Sequence, residues 1–248
     1  MSNLKNLYLM MFCSLAIPLS TCLATEQVLD FAVPESLDIK VDHTAYCLFE
    51  KTVYKTGYKI KHVKHPLIRS LTETQNGNMA IALIGKINFK TLSRPKTIPH
   101  ELAIASTPYK ITDISFFALK DSNIMMNAAN WRTKYQIGVV RSPHTHDVSM
   151  FTAEDNINYH FYINSLSAFK GLLKQRVELV ISSELDYLSA KSILNFQDNI
   201  KAITRIGTVG IYPVFSYQYF GEKEAKELAQ RYDNERAKLT MSELKECE

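Results

Sequence analysis

The residues most suggestive of chemistry lie in "SPHTHD", which brings His144, His146 and Asp147 close together. A His-x-His pair ligates zinc when a strand turns both rings to one face. Here Pro143 and the polar neighbours place the segment in a loop or at a helix start, and a solvated surface loop is the better reading. Hydrolytic and phosphoryl-transfer chemistry have no foothold, because the chain contains no Gly-x-Ser-x-Gly, no His-Glu-x-x-His and no phosphate loop. Nothing in it calls for a cofactor. What remains is a set of short polar groups at the ends of apolar runs. Glu35 and Ser36 follow the first run, Gly85 and Lys86 follow "MAIALI", Arg141, Ser142 and Thr145 follow "YQIGVV", and Ser182, Ser183 and Glu184 follow "VELVI". Charges, hydroxyls and helix N-terminal amides so placed suit reversible recognition of a small polar molecule better than bond breaking.

Those groups need elements to hold them. Val28 to Val33 reads as a strand ended by Pro34, and the loop "PESLDIKVD" leads to a helix that Asp42 can cap. Ala45, Leu48, Phe49, Thr52 and Val53 recur at helical spacing, and Gly57 stops the helix. Tyr58 to Val63 is a strand, Pro66 opens a short helix that stops at Gly77, and Met79 to Ile84 is a continuous apolar strand. Strand, helix, strand, helix, strand is the order of a parallel sheet flanked by helices. The order begins again with strands at Tyr135 to Val140 and Tyr159 to Ile163. A helix capped by Ser165 follows, then a strand at Val177 to Ile181. The junctions "LTETQNGNMAIAL" and "FKGLLKQRVELVI" resemble each other, as in two α/β lobes of similar build.

Two long apolar stretches, Ile111 to Leu119 and Ile203 to Tyr219, lie between and after these units. The chain ends in a helix from about Glu222 whose stripe is Ala225, Leu228, Ala229, Tyr232, Arg236 and Leu239. That helix is expected to pack back on the first lobe. Two crossings between two lobes make a hinge and a cleft. Ligands of open α/β sheets bind beyond the carboxyl ends of the strands, which nominates the polar loops that follow the apolar runs. Trp131 and Tyr109 can stack on a ligand or pack in a core.

The 248 residues carry a formal charge of +4, with a modest basic cluster from Lys51 to Arg69. That is too sparse, and without a recognisable module, for nucleic-acid binding. Lys5 followed by "LYLMMFCSLAIP" and "LSTCLATEQ" reads as a secretory signal over residues 1–24, cleaved after Ala24. The apolar run falls short of the ~20 residues of a membrane span. A second reading makes Cys22 a lipid-anchoring cysteine. Export leaves Cys47 and Cys247, which either pair in an oxidising compartment or, for Cys47 in its helix, stay as a buried thiol.

With these elements in order, the chain resembles the bacterial solute-binding proteins of family 3, the type found with polar amino acid transporters. That family's Gly-Lys-Val-Asp-Ala is similar to Gly77-Asn78-Met79-Ala80-Ile81. Its Phe-Ser-x-Pro-Tyr is similar to Ala105-Ser106-Thr107-Pro108-Tyr109, and its strand followed by Gly-Thr-Ser is similar to Gly138-Val139-Val140-Arg141-Ser142-Pro143. The resemblance implies a type II periplasmic-binding-protein-like α/β fold, each lobe a mostly parallel sheet flanked by helices, joined by a two-strand hinge. It implies lobe 1 over residues 25–115 and 208–248 and lobe 2 over 116–207. It also implies a monomer, not an enzyme, that closes on a small polar solute and presents it to an ABC permease or a membrane sensor. Ser106 and Tyr109 then join Glu35, Ser36, Lys86, Arg141, Ser142, Thr145 and Glu184 as ligand-binding candidates; a turn with Tyr109 packed beneath it is the other reading of that motif. The chain departs from the family where an Arg pairs with an α-carboxylate, since Pro99 and His100 stand there, and Glu178 and Ala80 replace two Asp residues. Arg94, Lys86 and Arg141 are alternative cations. The resemblance leaves two other roles: an enzyme of the dehydratase kind on the same scaffold, and a module whose cleft has closed on its own side chains.

Overall fold

The computed structural model describes residues 27–35, 37–89, 101–126, 134–140 and 158–248. Its chain starts with a βαβαβ unit. Strand β1 (Gln27–Pro34) is followed by α1 (His43–Lys55), β2 (Tyr58–His65), α2 (Leu67–Gln75) and β3 (Ile81–Phe89). Strand β1 lies between β2 and β3 and is parallel to both. Its residues alternate as the pleat requires. Leu29, Phe31 and Val33 enter one apolar cluster with Phe49 and Val53 of α1, while Ala32 enters another with Leu71 of α2. Both faces are thus covered, as a parallel sheet demands. Gly77, with φ of 80°, is the left-handed residue that turns the chain out of α2 toward β3. A Cβ there would stand 2.9 Å from Cβ of Gln218.

The second unit repeats the plan. Strand β6 (Ile137–Val140) lies between β7 (Tyr159–Tyr162) and β8 (Leu179–Ser183), parallel to both. Helix α3 (Ser165–Leu173) connects β7 to β8, and α4 (Glu184–Leu194) follows β8. Phe117, Phe169, Phe196 and Val180 centre the cluster on one face; Phe116, Tyr135, Ile137 and Leu179 centre the cluster on the other.

Two long strands join the units. Strand β5 (Lys110–Leu119) pairs with β8, and β9 (Ile200–Ser216) pairs antiparallel with β3, with the short β4 (Leu102–Ile104) and with β5. The hydrogen-bonded order β2-β1-β3-β9-β5-β8-β6-β7 is therefore one unbroken path, crossing between the units on β5 and β9. The β5–β9 register slips between Ile114 and Ser115 and again between Phe116 and Phe117. Each bulge bends its strand and sharpens its twist at the crossing. After β9, the short α5 (Tyr217–Phe220) leads into α6 (Glu222–Ala237), then α7 (Met241–Lys245). Ala225, Leu228, Ala229 and Tyr232 of α6 bury against the first unit, as the stripe predicted. Among the described residues, no helix is long and apolar enough to cross a membrane.

Several local expectations give way. Asp42 precedes α1, yet its side chain makes no capping bond and pairs with Lys110. Asn164, not Ser165, caps α3, its side chain accepting from the Ser167 amide. Strand β3 runs on through Lys86, so that residue sits opposite Gly210 rather than in a loop. The Cys47 thiol is not free: it forms a disulfide with Cys247, 200 positions away, with Cα atoms 5.5 Å apart.

Candidate functional site

The parallel strands of each unit reverse order about β1 and about β6, so each unit has a switch-point crevice beyond the carboxyl ends of its strands. In the first unit that end carries the loop from Glu35 to Asp42; in the second it carries the start of α4. The two meet. The Asp38 amide donates to Ser189 Oγ at 3.2 Å, and Ser192 Oγ donates to Asp38 Oδ2 at 2.8 Å. The loop is shaped for this, since Asp38 Oδ1 also accepts the Lys40 amide at 3.0 Å and turns the chain back on itself. Leu185 of α4 buries within the apolar cluster of the first unit, together with Leu37 of the loop. Its amide donates to Thr112 Oγ1 on β5 at 3.3 Å.

Beside this junction lies a buried charge. Asp42 is 3% exposed and forms an ion pair with Lys110, the first residue of β5. Tyr109, also 3% exposed, packs its ring edge-on to Phe49 at 5.7 Å. Its hydroxyl and Asp42 Oδ2 are buried without a hydrogen bond of good geometry. Burial first, then the neighbouring Asp42 carboxylate, holds the Tyr109 phenol well above the ordinary tyrosine range. Further along α1, burial likewise raises Tyr46 and lowers His62, whose ring nitrogen Nε2 meets the Tyr46 hydroxyl.

At the second unit's side, Ser183 caps α4 by accepting from the Asp186 amide at 3.1 Å, and its hydroxyl donates to Asp186 Oδ2 at 2.8 Å. Burial pushes the Asp186 carboxyl up, with the hydroxyls of Ser183 and Ser165 pulling it back down. Buried Ser182 Oγ lies nearby on β8 and has no hydrogen-bond partner.

The nominated residues fall unevenly on this map. Glu35 is exposed at the end of β1, its amide donating to the His65 carbonyl at 2.8 Å. Glu184 is exposed as the first residue of α4. Ser106 and Thr107 are tied elsewhere: their amides donate to the two oxygens of Asp233 on α6 at 2.8 and 2.7 Å. Lys86 is a β3 residue. Ser36, Arg94, Pro99, His100, Trp131, Arg141, Ser142, Thr145, His144, His146 and Asp147 lie outside the described residues. Among the described residues, no cluster of three His, Cys, Asp or Glu side chains could hold a metal ion. Asp38, Asp42, Lys110, Thr112, Ser189 and Ser192, which meet where the units touch, were not singled out for a site by sequence reasoning. The Asp38-x-Lys40 turn is the single local signal among them; the remainder are joined by contacts between distant segments.

No protein-family description matches the chain, and no curated protein matches it in sequence. Solved structures do match. A T. maritima ArgBP mutant with arginine bound superposes with a TM-score of 0.64 at 13% identity, covering 86% of this chain and 96% of that one. The GluR0 ligand-binding core in complex with L-glutamate gives 0.65 at 16% identity, covering 90% and 97%. The periplasmic VFT2 domain of Bordetella pertussis BvgS gives 0.65 at 12% identity, covering 89% and 91%. The chain has the two-lobe fold of periplasmic binding proteins. At these identities the likeness establishes that fold and nothing finer. The βαβαβ unit around β1 and the parallel unit around β6 match that two-lobe plan.

Proposed function

We propose that the chain is a solute-binding protein that closes its lobes on a small polar solute. The observation that carries this reading is the pair of topological switch points, one in each unit, joined by β5 and β9. A solute that touches both lobes only when they meet shifts the population toward the closed form. The lobe limits we assign are 25–115 with 208–248, and 116–207. The bulges next to Ser115 and Phe116 support a bend at that boundary. Glu35, Ser36, Lys86, Ser106, Tyr109, Arg141, Ser142, Thr145 and Glu184 are the proposed contacts. Glu35 and Glu184 have the strongest support, being exposed at the carboxyl ends of β1 and β8.

The fold is shared with an arginine-bound ArgBP, with a glutamate-bound receptor core and with a histidine kinase sensor domain. A solute of amino-acid or small organic-ion type, handed to an ABC permease or read by a membrane sensor, fits that range. Residues 1–24 act as an export signal in this reading, which places the mature chain in the periplasm. The role is binding rather than turnover.

A thermal-shift screen against amino acids, amines, peptides, sugars and organic acids tests the proposal. A solute at 100 times its dissociation constant stabilises the native state by about 2.7 kcal/mol. Stabilisation reversed by dialysis is the expected result. Silence across the panel counts against it, and steady consumption of a stabilising compound would reassign the chain to the enzymes.

A further inference from the structure

A receptor that relies on its solute to close should have few direct bonds between its lobes. This one has several, and two of them are made by one residue. Asp38, on the loop after β1, binds α4 of the other lobe twice, through its amide to Ser189 and through its carboxylate to Ser192. The Ser189 side of that contact is fully buried. Leu185, one helical turn earlier on α4, is sealed into the apolar cluster of the first lobe. Its amide is satisfied by Thr112 on β5. Loop and helix thus meet directly, in apolar contact and in hydrogen bonding.

We propose that Asp38 is a built-in latch that holds the lobes together without a solute. The mechanism is direct substitution. The loop presents a carboxylate and an amide to the hydroxyls of α4, which are groups a bridging solute would otherwise supply. Asp38 Oδ1 is committed to the Lys40 amide, which fixes the carboxylate's orientation before the lobes meet and lowers the entropy lost on closing. The Ser192 bond is exposed and the Ser189 bond is half-buried, so together they change a two-state population by about five- to tenfold. The wild-type protein is then predominantly closed when empty, and a solute must part the latch to enter.

The test measures the distance between the lobes in protein stripped of solute by unfolding and refolding with the disulfide intact. Spin labels at Ile68→Cys and Lys174→Cys, both exposed and on different lobes, report that distance by pulsed electron resonance. The expected result is a single narrow population in the otherwise wild-type protein. Asp38→Ala should add a second population that is at least about a tenth of the total. If Asp38→Ala does not fold, as judged by circular dichroism, the double variant Ser189→Ala, Ser192→Ala decides in its place. A stripped wild-type protein that already shows mainly the second population overturns the proposal, and so does a folded variant whose distances match the wild type. The outcome is independent of the thermal-shift screen, since a protein that binds no tested solute still has a closed or an open resting state.

Discussion

Tyr109 shows how a side chain in a recognisable motif can serve the interior. Its hydroxyl is buried beside the Asp42 carboxylate without a well-formed hydrogen bond, so Tyr109→Phe gives up little and keeps the ring against Phe49. Thermal melts should show unchanged or slightly raised stability for that variant, whereas Tyr109→Ala should cost about 3–5 kcal/mol through the cavity it leaves. A large loss of solute affinity in Tyr109→Phe would instead assign the hydroxyl to the ligand. Lys110 has the opposite character. Lys110→Met leaves the Asp42 carboxylate buried with no counter-charge, and denaturant unfolding should register a loss of about 3 kcal/mol. Asp233→Ala releases the Ser106 and Thr107 amides together and should cost about 1–3 kcal/mol.

At the scale of elements, the last helix is bound to the first. Besides the disulfide, Lys51 pairs with Glu246, and Lys55 pairs with Glu243 at 2.6 Å. In the chain-entropy view a cross-link over so long a loop is worth about 5 kcal/mol, while each exposed ion pair adds about 0.2–1 kcal/mol. Cys247→Ser, or reduction, should therefore lower the melting temperature far more than Lys51→Ala. Glu243 makes the same region sensitive to acid. The Lys55 ammonium and the Thr240 amide and hydroxyl hold its carboxyl down to about 2, below the usual 4.5. Its folded form is thus favoured above pH 4.5, and that contribution is lost as pH falls toward 2. The gap in melting temperature between wild type and Glu243→Gln should close across that window.

Elements were also where the sequence was most legible. The helix stripe of α6 and the apolar runs of β1, β5 and β6 are local patterns, and they survive in the fold. What local pattern cannot show is which distant segment competes for a group. The Asp42 carboxylate abandons its helix for Lys110 across a sequence separation of 68. The run "VELVI" loses its first two residues from the strand, because the amides of Glu178 and Leu179 donate to the Gln136 carbonyl and Glu178 accepts the Gln136 amide. Strand β3 outruns its apolar core because β9 pairs with all nine of its residues. The loop–helix junction at Asp38 leaves no local pattern for the same reason: its partners lie more than 150 residues away.

At the scale of the whole molecule, two similar units share one hydrogen-bonded sheet, and the strands that carry it between them are bent by bulges. Removing a bulge should stiffen that bend. Deleting Ile206, which the register leaves opposite no β5 residue, should narrow the distribution of distances between the lobes while shifting its mean. The core of the first unit draws on segments far apart in sequence, and Cys47 meets a partner 200 positions later. During synthesis, then, the earlier cysteine must wait as a thiol until those 200 positions have been made. The inner segment, whose strands and helices are contiguous in sequence, is free to fold before that happens. Oxidation of this pair must follow synthesis of everything between the two cysteines, and a nascent chain interrupted before Cys247 would carry a first unit with no covalent fastening.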